Sequence, residues 1–201
     1  MSFATSLPFV LRWEGGFVDH PADPGGATNK GVTQKVYDSW RAKYGQPQRS
    51  VRDLQDSEMA AIYEQNYWRA ARCGDVQDKL DLAVFDTAVN MGVGRAVGFL
   101  QGSVGCAVDG GFGPATLNAV QCCDPARALP MFCNARESYY QRLVEAKPEL
   151  NVFLRGWMNR LNALRASVGI PGFSAGVTRG IVPGEIIRRL PDLGEDPAFD
   201  V

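Results

Sequence analysis

The chain has 201 residues, of which 45% are hydrophobic and 21% are charged, and its formal net charge is −1. These values are ordinary for a globular protein with one or two hydrophobic cores. A chain so close to neutral has no global basic field to hold an anionic polymer, so nucleic acid is not expected as a partner.

The sequence contains no apolar run near the roughly 20 residues that span a bilayer, so stable membrane insertion is not expected. The first residues carry no basic segment followed by a long apolar one, as a signal peptide would. We therefore expect synthesis in the cytoplasm without a recognisable signal peptide.

Cysteine and histidine usage narrows the possible chemistry. The five cysteines are odd in number, match no zinc-binding spacing and are expected to be free thiols; they are Cys73, Cys106, Cys122, Cys123 and Cys133. His20 is the single histidine, which argues against a structural zinc site and against a Ser-His-Asp triad. We predict no metal and no cofactor.

Apolar spacing predicts a mainly α protein. The first helix is expected to begin at Thr5 or Ser6, with Pro8 in its first turn. A long loop rich in glycine and proline follows over residues 15–32 and is expected to accommodate short strands. Thr33 is placed to cap a second helix.

The middle of the chain predicts further helices. A third helix is expected to start near Asp56 or Ser57. Residues 80–91 are apolar nearly all round, which is typical of a central buried helix. Gly92 should end it, and residues 95–101 should form the next helix.

Proline positions divide the second half. Residues 102–113 are rich in glycine, and Pro114 and Pro125 each suit the first turn of a helix. Pro130 is expected to separate a short turn from a long helix, which Pro148 stops. A last helix should follow.

This organisation suggests three regions. Residues 1–101 would form the catalytic region, residues 102–168 a helical region packed on it as one body, and residues 169–201 a tail. No stretch between the first two has the composition of a flexible tether.

A possible reaction centre lies where the first helix ends. Glu14 is followed by two glycines that break the helix, then by Asp23 in a loop and Thr28 at the far end of that loop. A protonated glutamate facing a second carboxylate and a hydroxyl has the groups needed to cleave a glycosidic bond.

The run from Glu14 to Val18, the Pro-Ala-Asp-Pro-Gly-Gly-Ala-Thr-Asn segment and Gly31-Val32-Thr33 resemble the signature of glycoside hydrolase family 108. Those enzymes are N-acetylmuramidases of bacterial and phage origin. Residues 108–116 and 156–160 resemble the predicted peptidoglycan-binding region that usually follows that catalytic domain. The two resemblances together cover about residues 5–168.

This resemblance implies a lysozyme-like helical fold and a role for each residue of the triad. Glu14 would be the general acid. Asp23 would hold or deprotonate the attacking water or stabilise the positive charge on the sugar, or it would only shape its own loop. Thr28 would position the water or bond loop backbone, since four residues separate it from Asp23 where phage-type lysozymes have five.

Several further residues are candidates for substrate binding. Asp86 and Asn90 share one face of the central helix, where they would either bond the loop of residues 15–32 or line the cleft, with Asn90 contacting an N-acetyl group. Tyr63 and Tyr67 would belong to the core or form an apolar platform for sugar faces. The lone histidine, in the loop, would at most contact substrate.

Taken with this resemblance, the residues predict a hydrolase for the β-1,4 bond between N-acetylmuramic acid and N-acetylglucosamine. The alternatives are a lytic transglycosylase and a non-catalytic wall-binding or phage structural module. The expected partner is the peptidoglycan glycan strand, met in the periplasm or outside the cell. By analogy with phage lysis systems, passage of the protein across the membrane would depend on a holin-like pore.

Overall fold

The computed structural model describes residues 1–19, 26–77 and 79–170. Within them the helices are α1 (Phe3–Leu11), α2 (Gln34–Lys43), α3 (Asp56–Tyr63), α4 (Leu80–Met91), α5 (Val93–Val104), α6 (Pro114–Cys122), α7 (Pro125–Ala146) and α8 (Asn151–Val168), and the strands are β1 (Thr28–Asn29) and β2 (Val32–Thr33). The mainly α, lysozyme-like fold class predicted from the sequence is confirmed. No helix in these ranges is both long enough and apolar enough to cross a membrane.

Helix α4 is the centre of the fold. Every one of its residues is buried, as its apolar composition predicted, and its bounds match the prediction. It packs against α1, α5, α7 and α8. Burial of each Leu, Val or Phe side chain stabilises the folded state by roughly 1.5–3 kcal/mol. Because all of α4 is buried, it is the main element that joins the N-terminal and C-terminal helices.

Helix α1 begins earlier than predicted. Ser2 caps it, since the Ser2 hydroxyl accepts the N–H of Thr5 at 3.3 Å and the Thr5 hydroxyl accepts the N–H of Ser2 at 2.9 Å. This reciprocal cap satisfies donors that the first turn would otherwise leave unpaired. Pro8 therefore lies inside the helix, where buried Phe9 and Val10 stabilise the turn despite the missing N–H.

Helix α7 is continuous through Pro130, so the predicted division there is wrong. An interior proline costs about 3 kcal/mol in an isolated helix. Here Leu129 lies on one side of it and Phe132 and Cys133 lie on the other, all buried in the same core. Their shared burial outweighs the local cost.

The strands form a hairpin whose turn reaches the candidate site. Thr28 pairs with Thr33 in an antiparallel register, which leaves Lys30 and Gly31 as a two-residue turn. Both have positive φ, at 47° and 73°, as a type I′ turn requires. The short strands expected in this loop are present.

Hydrogen bonds to other segments of the protein hold the hairpin on both sides. The buried Asn29 side chain donates to the carbonyls of Val51 at 3.0 Å and Arg52 at 3.2 Å. On the other side, the backbones of Val18 and Thr28 exchange two hydrogen bonds of 2.8 Å. These contacts hold the turn at a fixed place beside the end of α1.

Candidate active site

Glu14 lies three residues after the end of α1, and its side chain is nearly enclosed. The backbone N–H of Glu14 donates to the Leu11 carbonyl at 3.2 Å, and 6% of its side-chain surface is exposed. One carboxylate oxygen, Oε1, accepts a hydrogen bond from Arg160 Nη1 at 3.1 Å. The other oxygen, Oε2, faces the hairpin turn at Gly31.

The hairpin turn packs on Glu14 without room for a side chain. A Cβ atom at Gly31 would lie 2.5 Å from Glu14 Oε2 and closer still to the hydroxyl of Tyr63. Glycine is therefore required at this position for two reasons, the positive φ and the close approach. The turn forms one wall of the pocket that holds the carboxyl.

Tyr63 fixes the turn from α3. Its hydroxyl donates to the Lys30 carbonyl at 2.9 Å, and the Lys30 ammonium pairs with Asp56 at the start of the same helix. Tyr63 is fully buried, so of its two predicted roles it takes the one in the core rather than that of a platform for sugars. Tyr67 is half-buried with its ring centroid 5.5 Å from that of Tyr63, and it remains a candidate for such a contact.

Arg160 of α8 connects Glu14 to the central helix. Its Nη1 donates to Glu14 and its Nε donates to Asp86 Oδ1 at 2.9 Å, while 1% of its side chain is exposed. Burial lowers the pKa of Arg160, but the charges of Asp86 and Glu14 raise it by more, so the net shift is upward. The guanidinium is therefore a permanent cation at the site.

Asp86 makes structural hydrogen bonds, which was one of its two predicted roles, but its partners among the described residues lie on α7 and α8 rather than in the loop of residues 15–32. It is fully buried, and its second oxygen, Oδ2, accepts a hydrogen bond from Arg136 Nη1 of α7 at 2.6 Å. With Arg160 on the first oxygen, two guanidinium groups occupy the carboxylate. A buried carboxylate needs such partners, and they leave no open face for substrate.

Asn90 belongs to the same buried network, so its expected contact with an N-acetyl group is not what the geometry offers. Its side-chain oxygen accepts from the Tyr140 hydroxyl at 2.8 Å and from Arg136 Nη2 at 3.2 Å. Its side-chain nitrogen is buried and has no hydrogen-bond partner within the described residues. Asn90 thus joins α4 to α7 rather than to the surface.

Ion pairs and hydrogen bonds explain why this network is tolerated in the core. Two buried guanidinium groups, of Arg136 and Arg160, face the carboxylate of Asp86, and Arg160 also donates to the carboxyl group of Glu14. Burial lowers the pKa of Arg136, but Tyr140 and Asp86 raise it by more. Removing Asp86 would leave both guanidinium groups without their shared counter-ion in a region of low dielectric constant.

Thr28 is half-buried in β1. Its hydroxyl donates to the Gly26 carbonyl at 3.4 Å, a long contact to loop backbone. Asp23 and His20 lie outside the described residues. The structure therefore brings together Glu14 and the hairpin turn, and the roles of Asp23 and Thr28 stay predictions.

Sequence reasoning missed Arg136, Arg160 and Gly31 as parts of this site. A signal for the arginines was present, because each occupies a position on the apolar stripe of its helix. Arg160 is followed by buried Leu161 and Leu164, and Arg136 is three residues after buried Cys133. A charged residue at a core position needs a buried partner of opposite charge, and α4 contains one.

Two family models match the chain, one after the other. The family model for Glycosyl hydrolase 108 matches residues 7–92, which contain Glu14 and Asp86. The family model for Predicted Peptidoglycan domain matches residues 95–162, which contain Arg136 and Arg160. No curated protein matches the chain.

A solved structure, that of Brucella abortus SagA, is similar over most of its length. It is 35% identical, the match covers 83% of this chain and 92% of that one, and the TM-score is 0.67. The similarity therefore extends across both matched regions.

Proposed function

The chain belongs to the glycosyl hydrolase 108 family, and on that basis we propose that it is an N-acetylmuramidase. Membership makes it a glycoside hydrolase that acts on cell-wall peptidoglycan, and the second matched region makes peptidoglycan its partner. The proposed bond is the β-1,4 linkage between N-acetylmuramic acid and N-acetylglucosamine.

The enclosed carboxyl of Glu14 is the observation that carries the proposal. It lies in the region that matches the hydrolase family, with 6% of its side chain exposed and with a hairpin turn packed against it. A glycosidase needs one carboxyl group held in a fixed position where bulk water is excluded. Among the candidate catalytic residues that the structure describes, Glu14 meets this requirement.

The proposed reaction begins with proton transfer from Glu14 to the glycosidic oxygen. The bond between that oxygen and C1 of the muramic acid breaks, and the departing sugar leaves as a neutral alcohol. Positive charge develops at C1, where a water oxygen adds and releases one proton. We assign the acceptor of that proton, or the stabiliser of the charge, to Asp23, and the positioning of the water to Thr28.

Product analysis tests this proposal directly. Purified peptidoglycan is digested with the protein, and the ends of the soluble fragments are identified by mass spectrometry. Hydrolysis at the proposed bond gives reducing N-acetylmuramic acid ends. Reducing N-acetylglucosamine ends, 1,6-anhydro ends or undigested wall would each contradict the proposal, and anhydro ends would identify a lytic transglycosylase.

A further inference from the structure

We propose that Arg160 is a positioning residue for Glu14, so that the region matching the predicted peptidoglycan domain completes the catalytic site. This inference rests on the proposed role of Glu14 as general acid. It gives the second region a part in catalysis in addition to any part in holding the wall.

The contact joins residues that are far apart in the chain. Arg160 lies on α8 within residues 95–162, whereas Glu14 lies within residues 7–92. Their Nη1 and Oε1 atoms are 3.1 Å apart, and the two side chains are 1% and 6% exposed. A contact so well shielded from water is screened much less than a surface ion pair.

The arginine is itself held in place. Asp86 Oδ1 accepts from its Nε at 2.9 Å, and Asp86 Oδ2 accepts from Arg136 at 2.6 Å. The guanidinium cannot turn away from Glu14 without breaking the bond to Asp86. It is therefore oriented before substrate arrives, which is the condition for electrostatic preorganisation.

This placement has a chemical consequence for the acid step. When Glu14 gives its proton to the glycosidic oxygen, it becomes a carboxylate in a buried place. A fixed cation at 3.1 Å stabilises that new charge without any rearrangement. The charged and titratable groups around Glu14 from the described elements are Arg160 on α8 and the Tyr63 hydroxyl on α3, with Asp86 on α4 behind the arginine.

The key variant is Arg160→Met, which keeps a long apolar side chain and removes the cation. We expect the turnover number on soluble glycan fragments to fall by about 10²-fold, with KM largely unchanged.

Arg165→Met is the matched control. Arg165 lies on the same helix and is 1% exposed, and it pairs with Glu137 at 2.6 Å and Asn134 at 3.1 Å on α7 rather than with Glu14. Its loss should lower the melting temperature, while the turnover number of the folded protein stays near that of the wild type. The comparison separates a general loss of stability from an effect on Glu14.

Two lysine variants, Arg160→Lys and Arg165→Lys, test the inference if Arg160→Met does not fold. Lysine keeps the charge but not the planar fork that bridges two carboxylates. Arg160→Lys should therefore lose turnover while Arg165→Lys does not. Equal turnover numbers for the two lysine variants would overturn the inference.

The remaining outcomes are decisive as well. If Arg160→Met loses no more turnover than Arg165→Met, Arg160 is a core residue only and the inference is wrong. Failure of the proposed function looks different, since Glu14→Gln would then retain hydrolysis or the wild-type protein would release no reducing ends. In that case the inference falls together with the function.

Discussion

Gly31 and Glu14 approach so closely that no side chain fits between them: a Cβ atom at residue 31 would lie 2.5 Å from Glu14 Oε2. The turn of the hairpin and the end of α1 thus define each other's position. A glycine at residue 31 also suits the backbone of the turn, which has a positive φ of 73° there.

Gly31→Ala should therefore inactivate the enzyme and destabilise it by about 1–3 kcal/mol or more, through backbone strain plus collision with the carboxyl. Gly45→Ala is the control, because Gly45 also has a positive φ of 64° but a Cβ there meets nothing within 4 Å. Melting temperature and hydrolysis rate are compared for both variants. Equal losses in the two would show that the contact with Glu14 has no effect of its own.

Asp86→Ala should destabilise the protein by about 3–5 kcal/mol, since it leaves Arg136 and Arg160 without their shared buried counter-ion. Chemical denaturation measures the free energy of unfolding. Glu137→Ala is the matched control, because Glu137 pairs with a single arginine and is 23% exposed. A loss for Asp86→Ala no larger than that of the control would contradict the central role given to Asp86.

Asp23→Asn should reduce turnover strongly, and Thr28→Ala should reduce it less. The eight-residue interval between Glu14 and Asp23 matches the phage-type pattern, whereas the Thr28 hydroxyl has only a long contact to loop backbone. Rates of reducing-end release are compared after both variants are shown to melt like the wild type. A larger defect in Thr28→Ala would reverse the two roles.

The buried thiols should resist modification. Burial raises the pKa of Cys133 to about 11 and that of Cys73 further, so both stay protonated at pH 8, while Cys122 is exposed. A thiol-specific chromogenic reagent should modify Cys122 quickly, and Cys73 and Cys133 only after unfolding. Peptide mapping of the folded protein identifies the labelled residues. Rapid labelling of Cys73 or Cys133 would contradict the packing described here.

Local signals in the sequence were enough for most helices. The apolar residues of 80–91 gave the bounds of α4, and Thr33 capped α2 as expected. Local sequence signals failed at Pro130, where the packing of α7 against the core decides whether the helix continues. The destabilisation that a proline causes in one helical turn can be predicted from the sequence. The burial against distant helices that compensates for it cannot.

The candidate site was predictable only in part for the same reason. Glu14 stands in a recognisable local motif, so the sequence alone singled it out. The partners of Asp86 lie 50 and 74 residues away, on Arg136 and Arg160. The spacing of polar residues on α4 indicated that a partner was needed, but not which helix supplied it.

Glu14→Gln tests the account most directly. The amide keeps the shape of the side chain, and its oxygen can still accept from Arg160, but it has no acidic proton for the leaving oxygen. Release of reducing ends from purified peptidoglycan should fall by about 10²-fold or more while the melting temperature stays near that of the wild type. A folded Glu14→Gln protein that releases reducing ends at close to the wild-type rate would remove Glu14 from the mechanism.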